Sequence, residues 1–469
     1  MITFLAMLKG AKPEVRLCAW LILRSYYLEL EQRFSSSVTF KSSIISLSKK
    51  LGVSVDLASA TINYLSDTSL FTKVVSNAVP KVGRPTPEFE ISTELLSSFD
   101  IHLENRNSLV SEILDVKSKR LGLHGDLKLG NRLLLIVLLL HADQYGYVNS
   151  LGFKQISSLT GMSRDQFYSQ LSKLQSTQYV LSVLPGVTSK YILGTKPSIY
   201  FLDVTNNKFA SSKFQSLVCE FCSSVQVYQK YSFLCAKAQG YLVALSQSKD
   251  EFDSSRKRNT ISFLKESLVR IEKLTKVKNV EKCLSLFSVT MLKRNLRNHI
   301  VQFIDFYATL LAFDEQSLKN EKPDDECIEE LVSNIVAVLK PTFEFKRLNE
   351  HKDNQYKVYK LECDEDEHTD EELLNTWDLT IFAEVLLRAF ILPLAMELRD
   401  CIESIKEFNN GKKPLYGFFC STSEINILSN LRVLFPASIE LKYTKTRLIR
   451  GKLEGIEDIE DPSLDSICS

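Results

Sequence analysis

The chain has no GxxxxGK[ST] loop and no GxGxxG fingerprint anywhere in its 469 residues. It therefore offers neither of the glycine-rich turns that cradle phosphate groups. A GxSxG nucleophile elbow and an HExxH zinc pair are also missing. The six histidines, at positions 102, 124, 141, 299, 351 and 368, fall at no metal-ligating spacing. The one CxxC, Cys219 and Cys222 with Cys235 further on, sits in the apolar run LVCEFCSSV and reads as core cysteine in a helix. The acidic run DEDEHTDEE lacks the spacing and glycine of a calcium loop and reads as solvated. With no motif to carry catalysis, the expectation is a protein that is no enzyme and that takes no metal and no cofactor.

Long hydrophobic runs are scarce as well. The densest covers only residues 133–140, between Arg132 and His141, and is too short to span a bilayer. Residues 379–398 are broken by Glu384, Arg388, Pro393 and Glu397. Both read as core helices of a soluble protein with no membrane contact. The opening MITFLAMLKGAKPEVRL places Lys9 and Lys12 where a signal peptide would stay apolar. The ten cysteines are then expected to be reduced, in the cytoplasm.

Charge is present and unevenly placed. Residues 1–300 hold 39 Lys/Arg against 23 Asp/Glu, and residues 301–469 hold 19 against 34. A basic first portion suits a polyanionic partner. The clusters Arg256-Lys257-Arg258 and Lys293, Arg294, Arg297 read as solvated helix faces.

The most informative stretch is residues 153–196. It predicts a short helix, a glycine turn at Gly161, a second helix capped by Ser163, and a strand at 179–184. A Pro-Gly turn (185–190) and a return strand at 191–193 complete it. An upstream segment aligns with it at an offset of 109 without a gap. Gly52 falls on Gly161, Ser54 on Ser163, Asp56 on Asp165, Ile62 on Leu171, Leu65 on Leu174, Thr68 on Thr177 and Val74 on Val183. Each match has a physical use: the glycine makes the turn, the serine caps the helix, and the apolar pair seats it. In the upstream copy the segment SNAVPKVGRPTPE lies between strands at 70–75 and 89–91, as a basic hairpin loop.

The stretch GMSRDQFYSQLSKLQSTQYV resembles the recognition region of GntR-type winged-helix regulators, and the repeat-plus-wing layout is similar to MarR-type ones. The resemblance covers about 45 residues of the second copy and about 50 of the first. It implies a helix in the DNA major groove, with Ser163 and Arg164 at positions that touch phosphate and base and Gln166 and Tyr168 also facing the groove. Tyr168 departs from the pattern, where arginine is usual. Arg164 can donate twice to guanine, and Gln166 can read adenine. Ser163, Tyr168, Ser169, Lys173 and Lys190 are further candidates for DNA contact. The first copy offers Ser54, Val55, Ser59 and Asn63 on its helix, with Lys81 and Arg84 in its wing.

The expected architecture is mainly α with small β wings. Two N-terminal winged-helix modules (1–100 and 101–205) precede a helical domain (206–340) and an acidic α+β region (341–469) with a hairpin at 343–361. The expected function is sequence-specific binding of double-stranded DNA as a transcriptional regulator. The helical region is expected to mediate homo-oligomerisation or bind a protein partner. Two alternatives remain: a plasmid- or phage-type replication initiator, and a protein-interaction subunit of a chromosome-organising or defence complex.

Overall fold

A computed structural model describes residues 1–30, 38–74, 86–98, 107–115, 125–143, 146–189, 192–206, 208–209, 213–221, 226–247, 254–314, 325–340, 379–420, 429–441, 445–449 and 452–455. The fold is mainly helical with small sheets. It divides into two compact units, residues 1–183 with 197–213, and residues 184–196 with 214–469.

The first unit is a structural repeat. Its elements are α1 (Ile2–Met7), α2 (Pro13–Leu30), β1 (Val38–Lys41), α3 (Ile44–Leu51), α4 (Val55–Asp67), β2 (Phe71–Val74), β3 (Glu88–Ile91) and α5 (Thr93–Ser98). The series then recurs as α6 (Asn107–Leu114), α7 (Leu129–His141), β4 (Tyr147–Val148), α8 (Phe153–Thr160), α9 (Arg164–Ser176) and β5 (Val180–Leu184), closed by β8 (Ile199–Leu202). Both ends of α3 and α4 map onto both ends of α8 and α9 at the same offset of 109. Each copy closes a three-stranded sheet, β1-β3-β2 and β4-β8-β5.

Local chemistry repeats with the backbone. Gly52 and Gly161 end the shorter helices in the left-handed region, at φ 71° and 72°, where a Cβ would be strained. Ser48 Oγ donates to Val53 O at 2.6 Å, and Ser157 Oγ donates to Met162 O at 2.7 Å. Thr68 and Thr177 each donate to the carbonyl four residues back, both at 2.8 Å. Ser69 and Gln178 then turn left-handed, at φ 57° and 61°, to send the chain into its strand.

One apolar core runs through both copies. Helix α7 is buried from Gly130 to Leu139 on every side. A helix apolar all round is an interior helix, and each fully buried leucine contributes about 1.5–3 kcal/mol. Helix α2 packs against α7, α3 and α4, and α7 packs in turn against α8 and α9. In the first copy Phe40 stacks between Tyr26 and Phe89, with ring centroids 4.5 and 5.4 Å away.

The second unit has its own core. Helices α10 (Val227–Gln247), α11 (Ser254–Thr275), α12 (Leu284–Leu292), α13 (Arg294–Phe313), α14 (Asp325–Leu339) and α15 (Leu379–Phe408) contribute to it. A mixed sheet of order β10-β11-β9-β12-β13 joins them. Its strands are β9 (Phe214–Phe221), β10 (Tyr416–Cys420), β11 (Ser429–Pro436), β12 (Lys445–Ile449) and β13 (Lys452–Gly455). Helix α15 is long and apolar enough to cross a membrane, yet Phe382, Leu386, Phe390, Leu394, Leu398 and Ile402 are buried in this core. Its π-helical turn, Leu387–Ile391, comes just before Pro393. Proline has no N–H to donate, and the wider turn lets the helix run on to Phe408 rather than stop.

Two sequence expectations are corrected here. LVCEF is not helical: Phe214–Phe221 is the central strand, with Leu217 and Cys219 buried on one face, and Cys222 lies outside the described residues. The return strand of the second copy is Ile199–Leu202, not 191–193. Residues 184–196 instead form the hairpin β6 (Val187–Ser189) and β7 (Gly194–Lys196), which belongs to the second unit. The hairpin at 343–361 and the acidic run at 364–372 lie outside the described residues.

Candidate nucleic-acid interface

The candidate site is built on α8, its glycine turn and α9. Ser163 Oγ accepts from Gln166 N at 3.3 Å, and Gln166 Oε1 accepts from Ser163 N at 3.1 Å. This reciprocal capping box satisfies two amides at the start of α9. It also occupies both side chains, so Gln166 must leave its bond before it could read a base. Phe167, Leu171 and Leu174 seat the helix in the core.

The remaining side chains of α9 face outward in an ordered way. Ser163, Arg164, Gln166, Tyr168, Ser169 and Lys173 are all exposed, Tyr168 by 52%. Arg164 and Tyr168 are one turn apart, and the guanidinium lies 5.8 Å from the ring centroid. Arg164 and Lys173 are nine residues apart, about two and a half turns, so they flank opposite sides of the helix. Between them lie the exposed Asp165 in the first turn and a line of small groups, Ser169, Ser172 and Ser176, all exposed. Lys154 on α8 is also exposed. Sequence reasoning missed Lys154; laying the copies side by side exposes it, because its counterpart is Ile45.

The same surface in the first copy has different chemistry. Ser54 Oγ caps α4 by accepting from Leu57 N at 3.2 Å. Val55 stands where the second copy has Arg164, and it is 46% exposed; Ile45 stands for Lys154, and it is 58% exposed. Ser59 is half-buried and Asn63 exposed. Tyr64, the counterpart of Lys173, donates its hydroxyl to Lys9 O at 2.8 Å. Helix α4 carries Asp56 and Asp67 and no lysine or arginine.

Lys81, Arg84 and Lys190 lie outside the described residues. In the second copy Val187, Ile192 and Leu193, on the hairpin expected to be a wing, are buried in the core of the second unit. Leu193 N donates to Leu339 O at 2.8 Å. His299 on α13 donates from Nε2 to Pro185 O at 2.8 Å. Burial pushes the His299 pKa down, and Lys196 adds to the shift against the hydrogen bond to Pro185. The ring is thus held neutral.

Other candidates resolve into packing. Cys219 Sγ touches Cys401 Sγ at 3.4 Å in the second core. Arg297 lies 5.1 Å over the Tyr228 ring, and Lys293 and Arg294 are exposed. Sequence reasoning also missed Glu220, which pairs with Lys445 at 2.8 Å and Arg447 at 3.1 Å across β9 and β12. Burial acts to raise its pKa, but hydrogen bonds from the two cations outweigh it and hold it below the ordinary 4.5. Among the described residues no group of three or more His, Cys, Asp or Glu is placed to hold a metal ion. No family model matches the chain, and neither does any curated protein or solved structure.

Proposed function

We propose that the chain binds double-stranded DNA, with α9 of the second copy as the helix that enters the major groove, and that it acts in the cytoplasm as a transcriptional regulator. The observation that carries this reading is the arrangement of charge on α8 and α9. Arg164 and Lys173 bracket a line of serines, so cations meet both walls of a groove while the small side chains let the helix approach the base edges. Arg164, in the first turn of the helix, donates to guanine O6 and N7. Lys154 and Lys173 donate to phosphate oxygens, and Tyr168 supports the guanidinium.

The test is a gel-shift series on genomic fragments with wild type and Arg164→Ala. The loss of one bidentate base contact is expected to weaken binding to the preferred fragment by roughly 10- to 100-fold. Undiminished binding by the variant removes α9 as the reading helix.

A protein-binding role is favoured for the first copy by one observation. Its equivalent face shows Ile45 and Val55 where the second shows Lys154 and Arg164. Under this reading the first copy makes no base contacts, and Ser54, Val55, Ser59 and Asn63 leave the DNA interface.

A further inference from the structure

Two buried arginines hold equivalent places in the repeat. Arg16 is the fourth residue of α2 and Arg132 the fourth of α7, and each is 3% exposed. Each donates from Nε to the carbonyl five residues back, Ala11 or Leu127, both at 3.1 Å. Each also reaches the end of the short helix before it. Arg16 Nη1 donates to Leu5 O at 3.0 Å, and Arg132 Nη1 donates to Ile113 O at 2.6 Å and to Asp115 O at 3.2 Å. The last carbonyls of a helix lack partners within it, and a cation there also meets the negative end of the helix dipole.

Arg16 also reaches the second copy. Its Nη1 also donates to Ser158 O, at 2.5 Å, in the last turn of α8. It therefore closes two helices at once, one from each copy. The turn that follows α8 rests on the same guanidinium. A Cβ placed on Gly161 would lie 2.4 Å from Ala11 O and 3.0 Å from Arg16 Nε. Gly161 is thus fixed by a close approach as well as by its positive φ. Burial lowers the Arg16 pKa, partly offset by Tyr64, but an arginine has ample margin and stays charged.

We propose that Arg16 is a positioning residue: a side chain of the first copy that sets where α8 ends and α9 begins in the second. The first copy is then a brace for the reading helix rather than a second reader. This rests on the proposed role of α9, and the turn offers a readout that needs no DNA.

The experiment uses the full chain with Arg16→Met, Arg16→Lys and Arg132→Met. Amide exchange is followed through residues 157–166, and DNA affinity is measured at a temperature where all variants keep the wild-type far-UV spectrum. Arg132→Met is the control for a merely structural loss, since it empties the equivalent buried site and leaves the bond to Ser158 intact. Arg16→Met is expected to speed exchange at Gly161–Gln166 about tenfold or more and to weaken DNA binding by about tenfold. Arg16→Lys is expected to fall between it and wild type. Arg132→Met is expected to leave both readouts within about twofold of wild type. Unchanged exchange at the turn in Arg16→Met, or an equal change in Arg132→Met, overturns the proposal. If Arg16→Met does not fold, Arg16→Lys decides by the same two readouts. If wild type binds no DNA, the reading of α9 fails, while the exchange data still decide whether Arg16 braces the turn.

Discussion

The two copies in the first unit share a backbone and differ in what they show. Helices α3 and α4 match α8 and α9 end for end, and the glycine turn, the serine cap and the threonine bond recur at the same offset. Both helices carry an aspartate in the first turn, Asp56 and Asp165; α4 sets Val55 beside it, while α9 sets Arg164 there and adds Lys173 with serines between. A fold that fixes the helix positions leaves the outward side chains free to diverge. The difference teaches that likeness of fold inside one chain does not carry likeness of surface chemistry.

The largest expected effect is at the turns. Gly52→Ala forces a left-handed alanine, at a cost of roughly 1–2 kcal/mol. Gly161→Ala also adds a methyl 2.4 Å from Ala11 O, so it is expected to cost more than that backbone strain alone. Chemical unfolding of both variants sharpens the comparison, and a loss of no more than about 2 kcal/mol in Gly161→Ala would break the idea that its turn is braced.

Next comes the hairpin that follows β5. His299 is held neutral and its pKa lies below the ordinary 6.5 in the folded state. The unfolded chain therefore binds the proton more readily. Its contribution is fully present above about pH 6.5 and is lost as pH falls toward the depressed value. Wild type is expected to lose more stability than His299→Gln between about pH 7.5 and about pH 5.5, measured by urea unfolding. Parallel losses in the two proteins would show that His299 does not anchor the hairpin.

The caps should cost about 1 kcal/mol each. Ser163→Ala also frees Gln166, so it is expected to destabilise more than Ser54→Ala in thermal melts. The smallest effect is expected at the apolar face. Ile45→Ser with Val55→Ser should leave DNA affinity unchanged in a gel shift, because these residues touch no DNA under this reading.

Much of the repeat was legible because its signals are local. Gly52 and Gly161, Ser54 and Ser163, and the pairs Ile62/Leu171 and Leu65/Leu174 each act within a few residues of themselves. The second wing was not legible in this way. Val187, Ile192 and Leu193 look like hairpin residues, which they are, but their burial depends on partners such as α13 and α14 more than a hundred residues on. Strand β9 was misread as helix because apolar residues fall on both of its faces, Leu217 and Cys219 on one and Val218 on the other, so no period of two stands out. Arg16 and Arg132 carry no mark in the sequence. Their partners are backbone carbonyls, which no side-chain pattern marks. At the candidate site, Arg164, Tyr168 and Lys173 were singled out from spacing and resemblance. Lys154 emerged only when the two copies were compared position by position.

The most direct test of the division between the copies is DNA affinity as a function of salt. It compares wild type, the triple variant Lys154→Ala/Arg164→Ala/Lys173→Ala, and the double variant Ile45→Ser/Val55→Ser. The account predicts steep salt dependence for wild type and for the double variant. The triple variant should bind more weakly, with a logarithmic slope shallower by about two to three. Equal slopes for all three proteins, or no binding by wild type at low salt, would contradict it.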